Sequence, residues 1–185
     1  EPSRDAAGAG TAAEQKESGD MDALQKLRRS LRNAVHRDDI GRALVEFGRQ
    51  CAQRVLLFRI RKDVAIGWMG RGEGIGPSMV KGIIIPLHSP SVFKEVMENQ
   101  ADYYGSIPHT IVNDVFLSAL GGTRPARALV IPISVQYKPV ALLYADCGSE
   151  PDFEGDLAPL HLVLEDVSRA FEKLIIEKKK RRTRP

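Results

Sequence analysis

The densest group of chemistry-bearing side chains in this sequence lies in Tyr103–Asp114 (YYGSIPHTIVND). Tyr103, Tyr104, His109, Asn113 and Asp114 bring phenols, an imidazole, an amide and a carboxylate into one short stretch. Such groups can orient a small molecule by hydrogen bonds. The same residue types also cap helices and tie down loops, which needs no ligand. His109 has no second His, Cys or carboxylate at ligand spacing, so no metal site is expected. Neither a GxSxG elbow nor an HExxH pair is present. No catalytic residue, metal or cofactor is therefore expected, and the chain is read as non-enzymatic.

Three further features invite a functional reading and a plainer one. Gly70, Gly72, Gly74 and Gly76 could offer backbone N–H groups to a phosphate, but such loops run from a strand into a helix. Here the segment leads to Pro77 and an expected third strand, so it is read as a connecting loop. Cys51 and Cys147 show no CxxC spacing. Their scarcity fits a reducing compartment, and a cytoplasmic location is expected. Residues 178–184 (KKKRRTR) hold six cations, which leaves the remainder of the chain at −3 from a total of +3. Without interleaved aromatics or a second basic patch, nucleic-acid recognition is not expected. Cations there suit a helix C-terminus.

These groups need elements to hold them. Apolar residues make up 43% of the chain, enough for a real core, and no run reaches the length of a membrane span. Residues 1–20 lack large apolar side chains and are expected to be a disordered tail or linker. With no initiator Met, the chain is expected to be a piece of a longer protein. Leu24, Leu27, Leu31 and Ala34/Val35 form one helical stripe across residues 21–37. Asp38 or Asp39 is expected to cap a second helix carrying Ile40, Ala43, Leu44, Phe47 and Cys51.

From Val55 the period becomes two. Leu56, Phe58 and Ile60 alternate with Arg59 and Arg61, and Val64, Ile66 and Trp68 repeat the alternation as a hairpin. Residues 80–88 are expected to be a third strand. A helix capped by Ser89 or Ser91, with Val92, Phe93, Val96 and Met97 inward, runs to Gln100. Tyr103–Gly105 is a short strand or turn, and a short helix from Thr110 or Asn113 stops at Gly121-Gly122. Two strands, 128–135 and 140–147, precede a helix over 155–177. On the last strand Val140, Leu142 and Tyr144 are expected to share one face. The final helix has Leu157, Leu160, Leu164, Val167, Phe171 and Leu174 at alternating spacings of three and four, a helix–helix seam. Together these predict an α+β domain: a central antiparallel sheet of five to six strands, flanked by N- and C-terminal helices. The domain spans 21–177, divided into an N-terminal helix (21–37) and a core with C-terminal helix (38–177), and 178–185 is a basic tail.

The stretch from Arg127 to Leu174 resembles the C-terminal half of GAF domains. The matching positions are Val130-Ile131-Pro132-Ile133, the Tyr137-Lys138 turn, Leu142-Leu143-Tyr144, Phe153, and the helix bearing Leu157 and Leu160. The order of upstream elements extends the resemblance to about residues 38–176. It implies a small-molecule sensor or dimerisation unit of bacterial signalling proteins. The Tyr103–Asp114 segment would then wall a pocket against the sheet, with Trp68, Phe93 and Phe116 supplying apolar surface. Two family chemistries lack their residues: Asp114 rather than Lys follows Asn113, and neither cysteine precedes a His. The main expectation is a homodimer joined through Leu24, Leu27, Leu31, Leu157, Leu160, Leu164, Val167, Phe171 and Leu174. Its partners would be other signalling domains or proteins, with a small-molecule ligand, such as a nucleotide, as the alternative.

Overall fold

The computed structural model describes residues 7–153 and 156–182. Six antiparallel strands form one sheet in the order β3-β2-β1-β6-β5-β4. These are β1 (Arg54–Arg61), β2 (Val64–Gly72), β3 (Ile84–Pro86), β4 (Tyr103–Gly105), β5 (Ala128–Val135) and β6 (Lys138–Asp146). The central strands β1 and β6 pair from Arg54↔Asp146 to Arg59↔Ala141. Both edge strands are three residues long.

Alternation along the strands divides the core in two. Val55, Leu57, Leu129, Ile131, Leu143 and Ala145 face α1 (Ala7–Arg32), α2 (Arg37–Gly48) and α6 (Ala158–Arg182). Leu56, Phe58, Val130, Leu142 and Tyr144 face the opposite core. That side is covered by α3 (Pro77–Gly82), α4 (Val92–Asn99) and α5 (Ile111–Ala119). The expected period-two strands, covered on both sides, are present. Val140 departs from its expected face. A bulge between Ile133 and Ser134 leaves it unpaired, and it packs with Ala141 toward the α6 side.

Several boundaries differ from expectation for local reasons. Helix α1 begins at Ala7 rather than near Met21, and its first half includes the run Ala12-Ala13-Glu14-Gln15-Lys16-Glu17 of residues that favour helix. The rest of the expected disordered tail, residues 1–6, lies outside the described residues. Of the basic run, residues up to Arg182 continue α6, and residues 183–185 lie outside. The expected third strand over 80–88 is reduced to β3, because Pro77 starts α3 at its first turn. Gly70 and Gly72 belong to β2 rather than to a loop, and Gly76 caps α3.

Helix α3 lies close over β2. A Cβ on Gly67 would sit 1.7 Å from the Val80 carbonyl oxygen, and the Gly67 N–H donates to Ile83 O at 2.8 Å. Only glycine permits that approach. Asp38 and Asp39 do not cap α2; His36 takes that position. Asp39 sits in the first turn and its carboxylate accepts from the N–H groups of His36 (2.8 Å) and Val35 (3.1 Å). Cys51 lies in the turn after α2 rather than on the helix, its thiol donating to Gly48 O at 3.3 Å. Burial pushes that thiol up to about 11.

Candidate functional site

The segment from Tyr103 to Asp114 is built as expected, with an extended start and a capped helix. Thr110 Oγ1 accepts the Asn113 N–H at 3.2 Å and Ser91 Oγ accepts that of Lys94 at 3.1 Å, so both short helices have side-chain caps. Asn113 is fully buried between them. Its Nδ2 donates to Pro108 O at 3.0 Å, and its Oδ1 accepts the Val92 N–H at 3.3 Å. Asn113 thereby ties α5 to the start of α4, and both ends of its amide are used.

The other polar members point elsewhere. Tyr103 donates its hydroxyl to Ser106 O; burial, with Glu95 nearby, raises this phenol above its ordinary value. Asp114 pairs with Arg124, which also donates to Ile107 O, and His109 Nδ1 lies 3.2 Å from Asp114. This trio sits at the surface, with His109 exposed. Tyr104, half exposed, stacks on Phe153 and lies under the Arg127 guanidinium, 5.6 Å from its ring centre.

Behind the segment, the space against the sheet is filled by rings. Phe93 and Phe116 meet edge-to-face with centroids 4.9 Å apart, Phe116 meets Tyr144 at 4.8 Å, and Phe58 lies 5.8 Å from Phe93. All four are buried, and such geometry adds about 0.5–1.5 kcal/mol per pair beyond area burial. The Tyr144 hydroxyl donates to Asp146, whose carboxylate also accepts from Arg54 Nε at 2.8 and 3.0 Å and from the Gly148 N–H at 2.8 Å. Arg54 in turn donates to Leu120 O at 3.1 Å. A buried ion pair therefore locks the aromatic stack to the end of α5. Burial and the adjacent Asp146 hold the Tyr144 phenol well above its ordinary value. Sequence reasoning did not single out Arg54 or Asp146; a charged residue at the matching end of each central strand was the available signal.

Trp68 is not with Phe93 and Phe116. The two-residue turn at Lys62-Asp63 pairs Arg61 with Val64 and Arg59 with Ile66, so Trp68 follows Arg59 to the opposite face. A bulge leaves Trp68 without a cross-strand partner. Its Nε1–H donates to Asp38 Oδ1 at 2.9 Å, its ring lies 6.1 Å from Phe171, and Arg37 sits 5.8 Å above it. Beside it opens a cavity of about 630 Å³ between the start of α2, the Arg59–Arg61 end of β1 and the last turns of α6.

The nine residues of the expected helix seam also have a place. Leu27, Leu31, Leu160, Val167 and Phe171 are buried in the chain's own core beneath the sheet. Leu24, Leu157, Leu164 and Leu174 pack partly buried against it. Arg28 and Asp166, 2.9 Å apart, join α1 to α6. The apolar side chains that α6 leaves exposed are instead Leu162, Ile175 and Ile176. Among the described residues no group of three His, Cys, Asp or Glu side chains is placed to hold a metal ion. No described helix is long and apolar enough to cross a membrane.

A six-stranded antiparallel sheet between terminal helices on one face and short helices on the other is the fold of GAF domains, and this chain has it. It is similar to the GAF domain of a phosphoenolpyruvate-protein phosphotransferase from Coxiella burnetii (14% identity, TM-score 0.68, covering 87% of this chain and 96% of that one). It is also similar to a phycocyanobilin-bound GAF domain from a cyanobacterial phytochrome (18% identity, TM-score 0.65, 85% and 96%). A third likeness is to a methyl-accepting chemotaxis protein (15% identity, TM-score 0.66, 82% and 98%). No protein-family model matches the sequence, and no curated protein matches it.

Proposed function

We propose that this chain is a non-catalytic GAF-fold signalling module that acts by association, as a homodimer and with other signalling domains or proteins, rather than by holding a ligand behind Tyr103–Asp114. The observation that carries this reading is the aromatic filling. Phe58, Phe93, Phe116 and Tyr144 occupy the space between the sheet and that segment. A ligand there would have to displace at least one buried ring, at a cost comparable to a large-to-small core substitution, about 3–5 kcal/mol. The outer helical surface remains. On α6, Leu162 and Ile176 are exposed four turns apart on one side of the helix, a spacing suited to a second, two-fold related copy.

Light scattering on the purified chain is expected to give twice the monomer mass, and L162E combined with I176E to give the monomer mass with an unchanged melting temperature. A wild-type chain that is monomeric at about 100 µM, where even weak dimers with Kd near micromolar are formed, overturns the dimer.

A further inference from the structure

The cavity beside Trp68 lies on the face of the sheet opposite the aromatic stack, and its lining differs from every other part of the core. Its floor is apolar: Trp68, Phe171 and Ala141 are buried, with Val140 and Leu174 beside them. Its walls carry four cations, Arg37, Arg59, Arg61 and Lys178, against two carboxylates, Asp38 and Glu177, a formal excess of two positive charges. Asp38 is already engaged by the Trp68 indole N–H. Asp38 also pairs with Arg37 at 3.9 Å, but among the described residues Arg59, Arg61 and Lys178 have no carboxylate within ion-pair distance. Arg59 Nε is, moreover, a buried donor with no hydrogen-bond acceptor.

Each of these facts has a local cause. The hairpin register sends Arg59 and Arg61 to the face where Val55 and Leu57 are core residues, beside the start of α2 and the last turns of α6. Arg59 stands opposite Ala141, whose small side chain leaves room above the strand pair. Burying a guanidinium donor without a partner is unfavourable, and a charged acceptor recovers most of that loss. A volume of about 630 Å³ is in the range of small-molecule sites, which are mostly apolar with a few convergent polar groups.

We propose that this cavity binds a small organic anion, a carboxylate or phosphate head on a flat apolar body. The head accepts from Arg59 and Arg61, and the body lies against Trp68 and Phe171. The site does not depend on dimerisation, since its residues all come from one chain and do not include Leu162 or Ile176.

Trp68 is the only tryptophan in the sequence and lies in the cavity wall, so its fluorescence reports occupancy directly. Phenyl phosphate and phenylacetate, titrated into the full chain at low salt, are expected to give a saturable change. Benzyl alcohol, which has the ring without the charge, is expected to give none. Inorganic phosphate tests the head alone. Saturation by phenyl phosphate but not phenylacetate assigns a phosphate ligand, and the reverse assigns a carboxylate. R59Q with R61Q should weaken binding at least tenfold, and R61Q alone, at an exposed position, should weaken it several-fold if the double variant does not fold. The proposal is overturned by an equal response to benzyl alcohol, by unchanged affinity in R61Q and the double variant, or by no saturable change with either anion up to about 10 mM, the weak end for such a site.

Discussion

The two faces of this sheet each carry an apolar core and end up with opposite interiors. On the α4–α5 face, four rings interlock and the polar residues around them are consumed by caps and by an ion pair. On the α2–α6 face, aliphatic packing is continuous until the far end, where two arginines and a tryptophan meet and a cavity remains. Aromatic rings fill a space by shape alone, whereas guanidinium groups must keep an acceptor or water nearby and so resist complete closure. The contrast shows that a pocket's position in a fold is decided by which side chains alternate onto a face, and not by the fold itself.

The sharpest way to break the contrast is to hollow the filled side. Phe116→Ala removes the ring that touches Phe58, Phe93 and Tyr144, and is expected to cost about 3–5 kcal/mol in denaturant unfolding. The cavity left behind is lined by apolar atoms, so benzene should raise the variant's melting temperature and leave the wild type unchanged. A loss under 1 kcal/mol would mean that the rings are not tightly packed.

A smaller effect is expected at the wall of the same side. Asn113→Ala leaves the Pro108 carbonyl and the Val92 N–H without their buried partner, at about 1–3 kcal/mol. Hydrogen exchange should then accelerate in α4 and α5 while α2 and α6 keep their protection. Uniform acceleration would show that the two faces do not open separately.

The mildest test lies beside the cavity and uses pH. Backbone N–H donors of His36 and Val35 hold the Asp39 carboxyl below its ordinary value. The folded state therefore binds this proton less readily than the unfolded chain. Its contribution is complete above the ordinary carboxylate range near pH 4 and is lost as pH falls through the lower folded value. Wild type should lose more stability than Asp39→Asn between pH 5 and pH 2, measured by urea unfolding, and parallel curves would remove Asp39 as the source.

Much of this architecture could be read directly from the residues. Caps at Ser91 and Thr110, the paired runs around Gln136-Tyr137, and the stripe from Leu160 to Leu174 are local patterns that lie where the residues predict them, while Leu157 falls just before α6 rather than on it. What could not be read depended on register and on contacts distant in sequence. Size and apolar character alone group Trp68 with Phe93 and Phe116; the pairing of Arg61 with Val64 decides otherwise. The run Ile83-Ile84-Ile85 suggests a strand over 80–88, yet Pro77 and the close approach to Gly67 favour a helix first. The helix stripes were legible, but whether they face a partner or the chain's own sheet depends on where the sheet lies, and here they face it. Asn113 and the Arg54–Asp146 pair gain their roles only when β1, β6 and α5 converge.

The three-residue edge strands have a further consequence. Each offers too short a ladder of free backbone groups for an extended chain to dock against, which protects the sheet from end-to-end growth. Assembly by side-chain contact between helices is open to reversal by a charge substitution. Association through an open sheet edge, by contrast, is main-chain bonding that such a change would scarcely disturb.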